Sequence, residues 1–381
     1  MIKIVLITPI LQPYRITFYE KLAVINKEYE LKVFHGSTTK EDGKTRYEGV
    51  TEFESIGFVE HKYKILPFEV IINQGMYSKI KEVNPDILIM LASTGNITLW
   101  KIISWAKSNN KKVIIWTSGW EPGRAKGILL TLKNRLVSSF YKKADFFLTY
   151  STYASQYVES MGVDKSKIEI CYNGIETDDL VKNSDEIIKT SKDIIKKYNL
   201  ADHITFLYVG GLIHEKRIDL LIESFTQLRK KYFNIKLIII GDGPLKEMVK
   251  ERLKTINDSN IFYLGRIIDG VDPFFVASDC LVLSGAGGLA LNQAMFWRKP
   301  CIVSKADGTE DDLVIENFSG YRFMENDQDS LTSAMEKRIL DDNEKVTQLG
   351  ENAYQLIINK SNVTNMVEVF SKAVNSLFKR S

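Results

Sequence analysis

The chain has 381 residues, of which 44% are hydrophobic and 26% charged. This composition is typical of a folded globular protein, and the length favours two domains over one. With 51 lysines and arginines against 48 aspartates and glutamates, the net charge is only +3. A nucleic-acid-binding protein would be markedly more basic, so we expect no nucleic-acid partner.

The N-terminal residues and the cysteines bear on the cellular location of the protein. The first ten residues, MIKIVLITPI, contain four consecutive apolar residues, which is typical of a β-strand rather than a signal peptide. No apolar run is long enough to predict a membrane span. The three cysteines are isolated and lack the spacing of a metal site. We therefore expect a cytoplasmic protein with reduced thiols.

Short β-rich runs alternate with amphipathic stretches along the chain. The predicted strands of the first half are Ile2–Ile7, Leu31–Phe34, Ile87–Leu91, Val113–Trp116, Phe146–Leu148 and Ile168–Cys171. Those of the second half are Thr205–Val209, Leu237–Ile240, Ile261–Leu264, Cys280–Leu283 and Cys301–Val303. Strands that are apolar on both faces and separated by helices indicate parallel sheets covered on both sides. The chain is therefore predicted to form two doubly wound α/β domains.

The expected boundaries follow from composition. Residues 1–178 form the predicted first domain, 179–200 a polar linker and 201–360 the second domain. In the last segment, about 361–381, apolar residues share one helix face, and we expect this helix to return to the first domain. Doubly wound folds bind ligands beyond the carboxyl ends of their strands, which would place a ligand in the cleft between two such domains.

The loop in YVGGLIHEKRIDLL, 208–221, could hold a diphosphate. Gly210 and Gly211 follow a strand, and a helix is predicted to begin near Lys216. The amides and dipole at a helix start favour an anion, and Lys216 adds a full charge, with Arg217 as a second cation. A plain strand-to-helix turn with a solvated lysine is the alternative.

The loop in SGAGGLALNQAM, 284–295, is a second candidate phosphate site. Gly285, Gly287 and Gly288 permit close approach of the backbone to an anion, and Leu289 is predicted to begin the next helix. The loop matches neither G-x-G-x-x-G nor the lysine-bearing P-loop. Tight packing of strand against helix is the alternative.

Two further loops carry turn or acidic residues. Gly243 lies in IIIGDGPLKEMV, which has the composition of a tight turn. The acidic residues in the first half of SKADGTEDDLVIENFSGY, 304–321, could accept hydrogen bonds from sugar hydroxyls or attract a metal; they are Asp307, Glu310, Asp311 and Asp312. A turn followed by an acidic helix start explains them equally well.

Together these loops resemble the donor-binding half of the family 4 glycosyltransferases of the GT-B fold. The resemblance rests on VGGLIHEKRIDLLIESF, IIIGDGP, YLGRI, ASDCLVLSGAGGLALNQAMFWRKPCIV and ADGTEDDLV with SGY behind it. Upstream, TYSTYASQYVESMGVDKSKIEICYNGIE and TPILQPYRITFYEKLA resemble parts of the acceptor-side half. The likeness covers nearly the whole chain.

The sequence departs from the family pattern at functional positions. Two glutamates eight residues apart are usual, and here these positions hold Gly285 and Gln293. The usual arginine of the first loop is Gly211, whereas the lysine is retained as Lys216. A histidine common on the acceptor side is absent from IIWTSGWEPG. We expect Gly285 to open space and add amides for phosphate, and Gln293 to grip the donor.

The resemblance implies a retaining transfer from a nucleotide-diphosphate sugar, with a UDP-sugar favoured over a GDP-sugar and no metal or further cofactor. Lys216 and Gln293 would be catalytic. The implied donor-binding residues are Gly210, Gly211, Arg217, Gly243, Arg266, Gly285, Gly287, Gly288, Leu289 and Glu310. The implied acceptor-side residues are Tyr14, Arg15, Ser118 and Trp120.

The expected acceptor is a glycan or an undecaprenyl-linked glycan of surface polysaccharide synthesis, such as lipopolysaccharide. The segment 124–143 mixes basic with apolar residues and could rest on the inner face of the cell membrane. An ordinary helix with a solvated face is the alternative. Two other functions stay open, a sugar-nucleotide-binding partner without catalysis and a sugar-nucleotide epimerase, although the scarcity of histidine weakens the latter.

Overall fold

The computed structural model describes residues 1–25, 27–37, 47–65, 68–119, 128–305 and 308–378, except the side chains of 65, 68 and 128–130. The chain divides into two compact units. One comprises Met1–Tyr172 with Val363–Ser381, and the other comprises Asn173–Asn362. No helix within the described ranges is both long and apolar enough to span a membrane.

The first unit is built on a largely parallel sheet. Its strands are β1 (Ile2–Thr8), β2 (Tyr29–Ser37), β3 (Glu54–Ile65), β4 (Phe68–Asn73), β5 (Ile87–Leu91), β6 (Lys112–Thr117), β7 (Phe146–Thr149) and β8 (Ile168–Ile170). Its described order is β4-β3-β2-β1-β5-β6-β7-β8, with β3 and β4 antiparallel and the other neighbours parallel. The strand order reverses direction between β1 and β5.

Helices connect these strands and cover the sheet. They are α1 (Ile16–Val24), α2 (Met76–Val83), α3 (Ile97–Ser108), α4 (Ile128–Tyr141) and α5 (Thr152–Ser160). Apolar side chains from both faces of the sheet are buried in two core clusters. The predicted strands of the first half are all present, whereas the β3–β4 hairpin was not predicted.

The second unit has a fully parallel six-stranded sheet in its described part. Its strands are β9 (Ile204–Val209), β10 (Ile235–Ile240), β11 (Ile261–Gly265), β12 (Cys280–Leu283), β13 (Cys301–Val303) and β14 (Gly320–Arg322). They lie in the order β11-β10-β9-β12-β13-β14. Renumbered from β9, this is the 3-2-1-4-5-6 order of dinucleotide-binding domains, whose ligands bind where the order reverses. The prediction of two doubly wound units is confirmed.

The helices of the second unit are α6 (Asp178–Lys182), α7 (Ser184–Lys197), α8 (Ile218–Arg229), α9 (Lys246–Ile256), α10 (Asp272–Ala277), α11 (Ala290–Phe296), α12 (Thr309–Leu313), α13 (Gln328–Leu340) and α14 (Asn343–Lys360). The segment 179–200, which we expected to be a linker, thus forms most of α6 and all of α7. Ile194 of α7 is buried in the same apolar cluster as Phe275 of α10. Because α7 buries so few side chains, its sequence is polar enough to resemble a linker.

The units divide at Tyr172/Asn173 and at Asn362/Val363, so the structure places the division before the predicted linker. The two segments pair where they enter the second unit, through a bridge between Ile175 and Asn362. A Cβ at Gly174 would lie 2.4 Å from the carbonyl carbon of Asn362. This close approach of two backbones requires glycine in the Asn-Gly-Ile turn.

The terminal helix α15 (Val363–Phe378) belongs to the first unit, as predicted. Its buried face consists of Val363, Met366, Val367, Phe370, Ala373 and Val374. Phe370 contacts Phe18 of α1 and Trp116 of β6 edge-on, with ring centroids 4.9 Å apart in both pairs. One apolar stripe of the last helix therefore completes the core of the N-terminal unit.

Candidate functional site

The glycine-rich loops of the second unit meet at its topological switch point. β9 and β12 are neighbours in the sheet. The loop 210–217 follows β9, and the loop 284–289 follows β12. Both therefore lie at the carboxyl end of the sheet, where this strand order places ligands.

The loop after β9 is held by a hydrogen bond from a buried tyrosine. Tyr208 donates a hydrogen bond to the carbonyl of Gly211 at 2.9 Å, and burial raises the pKa of this phenol. A 3-10 turn covers His214–Lys216, and Arg217 adopts a left-handed conformation with φ of 47°. Helix α8 consequently begins at Ile218, slightly later than predicted.

Lys216 joins the two loops. Its Nζ donates to the carbonyls of Ala286, at 2.5 Å, and of Gly287. In the reverse direction, the amide of Ala286 donates to the Glu215 carbonyl at 2.8 Å, and the Ser284 hydroxyl donates to the Lys216 carbonyl at 2.9 Å. The ammonium group is thus fixed by the loop after β12 rather than extended into solvent.

Gly285 is enclosed by backbone. A Cβ there would lie 2.2 Å from the carbonyl oxygen of Glu215 and 2.8 Å from the carbonyl carbon of Lys216. The expectation that Gly285 opens space was therefore wrong, because the neighbouring loop fills the direction in which a side chain would project. A Cβ at Gly288, by contrast, would meet only Lys216 Nζ, at 3.5 Å.

Gly211 differs from Gly285 in that a side chain there has room. It is exposed, and no atom lies within 4 Å of the position that a Cβ would take. Gly210 beside it is partly buried, and its Cβ would lie 3.1 Å from the Tyr208 hydroxyl.

The Gly-Asp-Gly turn after β10 packs on the first loop. A Cβ at Gly243 would lie 2.6 Å from the carbonyl oxygen of Leu212, and the Leu212 amide donates to the Asp242 carbonyl at 2.9 Å. Hydrogen bonds from the Gly243 amide and from Lys246, together with the charge of Arg266, lower the pKa of Asp242. The loops after β9 and β10 therefore pack against each other at the rim of the sheet. Arg266, directly after β11, is exposed beside them.

A buried carboxylate stands beside the loop after β12. Glu310 of α12 is 1% exposed, and its Oε1 lies 1.4 Å from where a Cβ at Gly287 would be. Arg322 donates to the Glu310 carbonyl at 2.9 Å and pairs with Asp311. Asp307 lies outside the described residues; among those described, no three acidic, histidine or cysteine side chains form a group that could hold a metal.

Helix α11, which follows the loop after β12, carries two polar side chains, Asn292 and Gln293. Leu289 is its N-cap residue and the helix begins at Ala290, one residue later than predicted. Gln293 is partly exposed. The neighbouring Asn292 is 2% exposed, and its amide donates to the Ser361 hydroxyl at 2.7 Å and to the Asn173 carbonyl at 3.1 Å. Asn292 thus ties α11 to both segments at the unit boundary, a role that sequence analysis missed.

The expected acceptor-side residues lie in different surroundings in the first unit. Tyr14 is 42% exposed and Ser118 is exposed, whereas Arg15 is 3% exposed. The Arg15 guanidinium lies over the Trp116 ring, 4.1 Å from its centroid, and donates to the Tyr150 hydroxyl at 2.6 Å. Trp120 lies outside the described residues. Trp116 was predicted only as a strand residue, since its contact with Arg15 depends on the fold.

The described part of the basic segment 124–143 forms α4. Leu132 and Leu136 are 47% and 52% exposed, with exposed Arg135 and Lys142 on the same helix or directly after it. An open groove of about 560 Å³ is lined by Arg135 and Lys142 and reaches Met161, directly after α5. Residues 124–127 lie outside the described part of the chain.

Family comparisons match both halves of the chain. Residues 190–356 match the family described as glycosyl transferases group 1. Residues 22–179 match the glycosyltransferase family 4 domain. The matched regions include the loops after β9, β10, β11, β12 and β13.

Individual proteins show the same likeness. An uncharacterized glycosyltransferase of Methanocaldococcus jannaschii is 30% identical over 70% of this chain and 66% of its own. The lipopolysaccharide 1,2-N-acetylglucosaminetransferase of Salmonella typhimurium is 27% identical over 48% and 51%. The alignments thus span less than two thirds of either relative. Anabaena HepE, solved in complex with UDP, shares the fold with a TM-score of 0.76 at 13% identity, covering 99% of this chain and 100% of that one.

Proposed function

Because the chain belongs to the family 4 glycosyltransferases of the GT-B fold, we propose that it moves a sugar from a nucleotide-diphosphate sugar to an acceptor hydroxyl with retention. One observation carries the proposal. Lys216 and the loop 284–289 are bonded together at the switch point of a 3-2-1-4-5-6 sheet, the place where this topology binds nucleotides.

The chemistry required at this junction is stabilisation of a leaving diphosphate. As the bond between sugar and phosphate breaks, negative charge develops on the phosphate oxygens, and positioned donors lower the barrier. Lys216 supplies a full positive charge beside the backbone of Gly287 and Gly288. The loop already holds the ammonium, so little ordering is needed when the diphosphate binds. A departing phosphate oxygen would take the proton of the acceptor hydroxyl.

Gln293 and Glu310 would contact the polar parts of the donor. Gln293 is partly exposed and can both donate and accept hydrogen bonds to ribose or sugar hydroxyls. Glu310 places a carboxylate against Gly287, where it can accept from a sugar hydroxyl if the loop shifts on binding. Gly210, Gly211, Gly243 and Arg266 complete the rim. A UDP-sugar is the favoured donor.

The acceptor would be a glycan, free or linked to a polyprenyl diphosphate, and the process would be surface-polysaccharide assembly. Tyr14, Arg15, Ser118 and Trp120 are the proposed acceptor-side residues. The segment 124–143 would rest on the cytoplasmic membrane surface, supported by the exposed Leu132 and Leu136 beside Arg135. Exposed leucines flanked by cations are typical of helices that lie on anionic lipid.

The test is release of nucleotide from a panel of UDP- and GDP-sugars, with and without glycan and polyprenyl-linked acceptors. We expect release from one UDP-sugar that requires an acceptor, and loss of most of it in Lys216→Met. Arg298→Met is the matched control, since Arg298 is an exposed cation paired with Glu351 on α14. Binding of UDP without turnover against any acceptor would favour a non-catalytic partner, and alteration of the donor alone would indicate an epimerase.

A further inference from the structure

Several buried hydrogen-bond donors lack partners in one place in the first unit. The atoms are Nε and Nη1 of Arg15 and Nε1 of Trp116. The guanidinium is 4.1 Å from the Trp116 ring centroid, and its charge acts on Tyr19, lowering a phenol pKa that burial raises. Buried polar groups normally have partners. These three donors, with Tyr19 and Tyr150, are called the Arg15 cluster below.

The charge of Arg15 is also uncompensated. Burial opposes the charged form, but the hydroxyls of Tyr150, Tyr19 and Tyr14 act in the other direction and keep the Arg15 pKa above its ordinary value. In the described ranges no carboxylate acts on this guanidinium. Burial raises the pKa of Tyr150 to about 12, so this phenol is neutral at physiological pH. An unpaired buried charge costs several kcal/mol, which a bound anion would offset.

The position of the Arg15 cluster in the fold is that of a ligand site. Arg15 follows β1, Trp116 is near the carboxyl end of β6, and Tyr150 directly follows β7. The strand order of this sheet turns beside β1, which is where doubly wound sheets bind ligands. Arg15 is also the N-cap residue of α1, whose dipole favours an anion.

A ligand would reach the Arg15 guanidinium past the aromatic residues that surround it. Tyr14 is 42% exposed and lies 5.5 Å from the Arg15 guanidinium, measured to its ring centroid. Tyr150 is partly exposed, with the corresponding distance 5.6 Å. Movement of the exposed Tyr14 ring would open the donors to a ligand without disturbing the strands beneath.

We propose that the Arg15 cluster binds an anionic group, a phosphate or a carboxylate, carried by the acceptor. Arg15 presents two N–H groups that lack partners, and charge-assisted hydrogen bonds from a guanidinium to an anion are strong. Every unpaired atom of the cluster is a donor, and a guanidinium cannot accept, so a neutral hydroxyl would satisfy fewer of them. That the anion belongs to the acceptor rests on the proposed function.

The test measures binding of inorganic phosphate, glucose 1-phosphate and glucuronate to the full chain by calorimetry. The background is Lys216→Met, which removes the donor-side cation. We expect at least one probe to bind, and Arg15→Met to weaken it at least about tenfold, because charged hydrogen bonds contribute about 1.5–3 kcal/mol. Arg298→Met is the control, since Arg298 also lies over a tyrosine ring, 3.7 Å from the Tyr354 centroid, but is paired with Glu351.

Milder variants cover the case in which Arg15→Met fails to fold. Arg15→Lys keeps the charge and replaces the spread donors of the guanidinium with one ammonium group, and Trp116→Phe removes only the indole N–H and some packing. We expect each to weaken the probe about three- to tenfold. Equal affinity in the Lys216→Met background with and without Arg15→Lys or Trp116→Phe, or the absence of binding by all three probes, would overturn the proposal. The probe that binds best tells a phosphate-bearing acceptor from a uronate-bearing one.

The two proposals fail separately. Anion binding that depends on Arg15, in a protein that never consumes a donor sugar, would leave this site standing and refute the proposed transfer. Sugar transfer that depends on Lys216, in a protein whose Arg15 variants bind the probes unchanged, would support the proposed transfer and refute the anion site.

Discussion

The carbonyl oxygen of Glu215 occupies the space that a side chain at Gly285 would need, 2.2 Å from where its Cβ would lie. This relationship explains why the loop after β12 carries glycine at a position where the family resemblance predicts glutamate. The two loops approach so closely that the Ala286 amide bonds to that same carbonyl. The glycine is part of an intact junction rather than the remnant of a lost one.

Gly285→Ala is therefore expected to destabilise the second unit by about 1–3 kcal/mol, as overpacking does elsewhere, and to weaken UDP binding. Gly288→Ala is the control, because its Cβ would meet only Lys216 Nζ, at 3.5 Å. Urea unfolding of both variants measures the difference. Equal stability of the two would show that the loops separate easily in solution.

Gly211→Arg should strengthen binding of UDP. The position is exposed and has open space, so an arginine can enter without displacing backbone and add a second cation near Lys216. We expect about a three- to tenfold lower Kd, given about 1.4 kcal/mol for each tenfold change. Gly211→Gln, which adds a polar side chain without a charge, is the comparison. Unchanged affinity in Gly211→Arg would place the diphosphate away from this loop.

Asn292→Ala is expected to lower the free energy of unfolding by about 1–3 kcal/mol. The change removes a donor that bonds, in a buried setting, to the Ser361 hydroxyl and the Asn173 carbonyl. Asn352→Ala removes a comparable bond to the Phe318 carbonyl at an exposed position and should cost less than about 0.5 kcal/mol. Denaturant titration checks both values. Similar losses in the two variants would mean that the hydrogen bonds from Asn292 to the segments at the unit boundary do not stabilise the fold.

Stability should fall in alkali as the Tyr150 phenol is forced to ionise. Burial raises its pKa in the folded state to about 12, above the unfolded value of about 10. The stabilisation is complete below pH of about 10 and is lost as pH rises toward 12, on the order of 2–3 kcal/mol in total. Tyr150→Phe should flatten this slope, because it removes the buried ionisable phenol. Unfolding titrations across this pH range give the slopes directly.

The fold was predictable from sequence because its strands are buried on both faces. Runs such as Ile87–Leu91 and Cys280–Leu283 are continuous apolar segments, and their observed ends equal the predicted ones. Strand β3 was missed because charged residues alternate along it, and the edge strand β14 because three residues carry little pattern. Helix α7 was missed because few of its side chains are buried, so its sequence is largely polar.

The site was predictable only in part. Glycines and Lys216 mark the loops in the sequence, since both residue types suit phosphate. The sequence could not show that Glu215 backbone fills the space at Gly285, because that contact joins loops 70 residues apart. Arg15 and Trp116 meet only because β1 and β6 end on the same edge of the sheet.

The most direct test of the central claim is calorimetric titration of the protein with UDP. We predict saturable binding of one UDP per chain, weakened at least about tenfold in Lys216→Met and unchanged in Arg298→Met, because only Lys216 lies at the junction of the two loops. Unaltered affinity in Lys216→Met, or no binding of UDP or GDP by the wild-type chain, would contradict the assignment of this junction as the donor site.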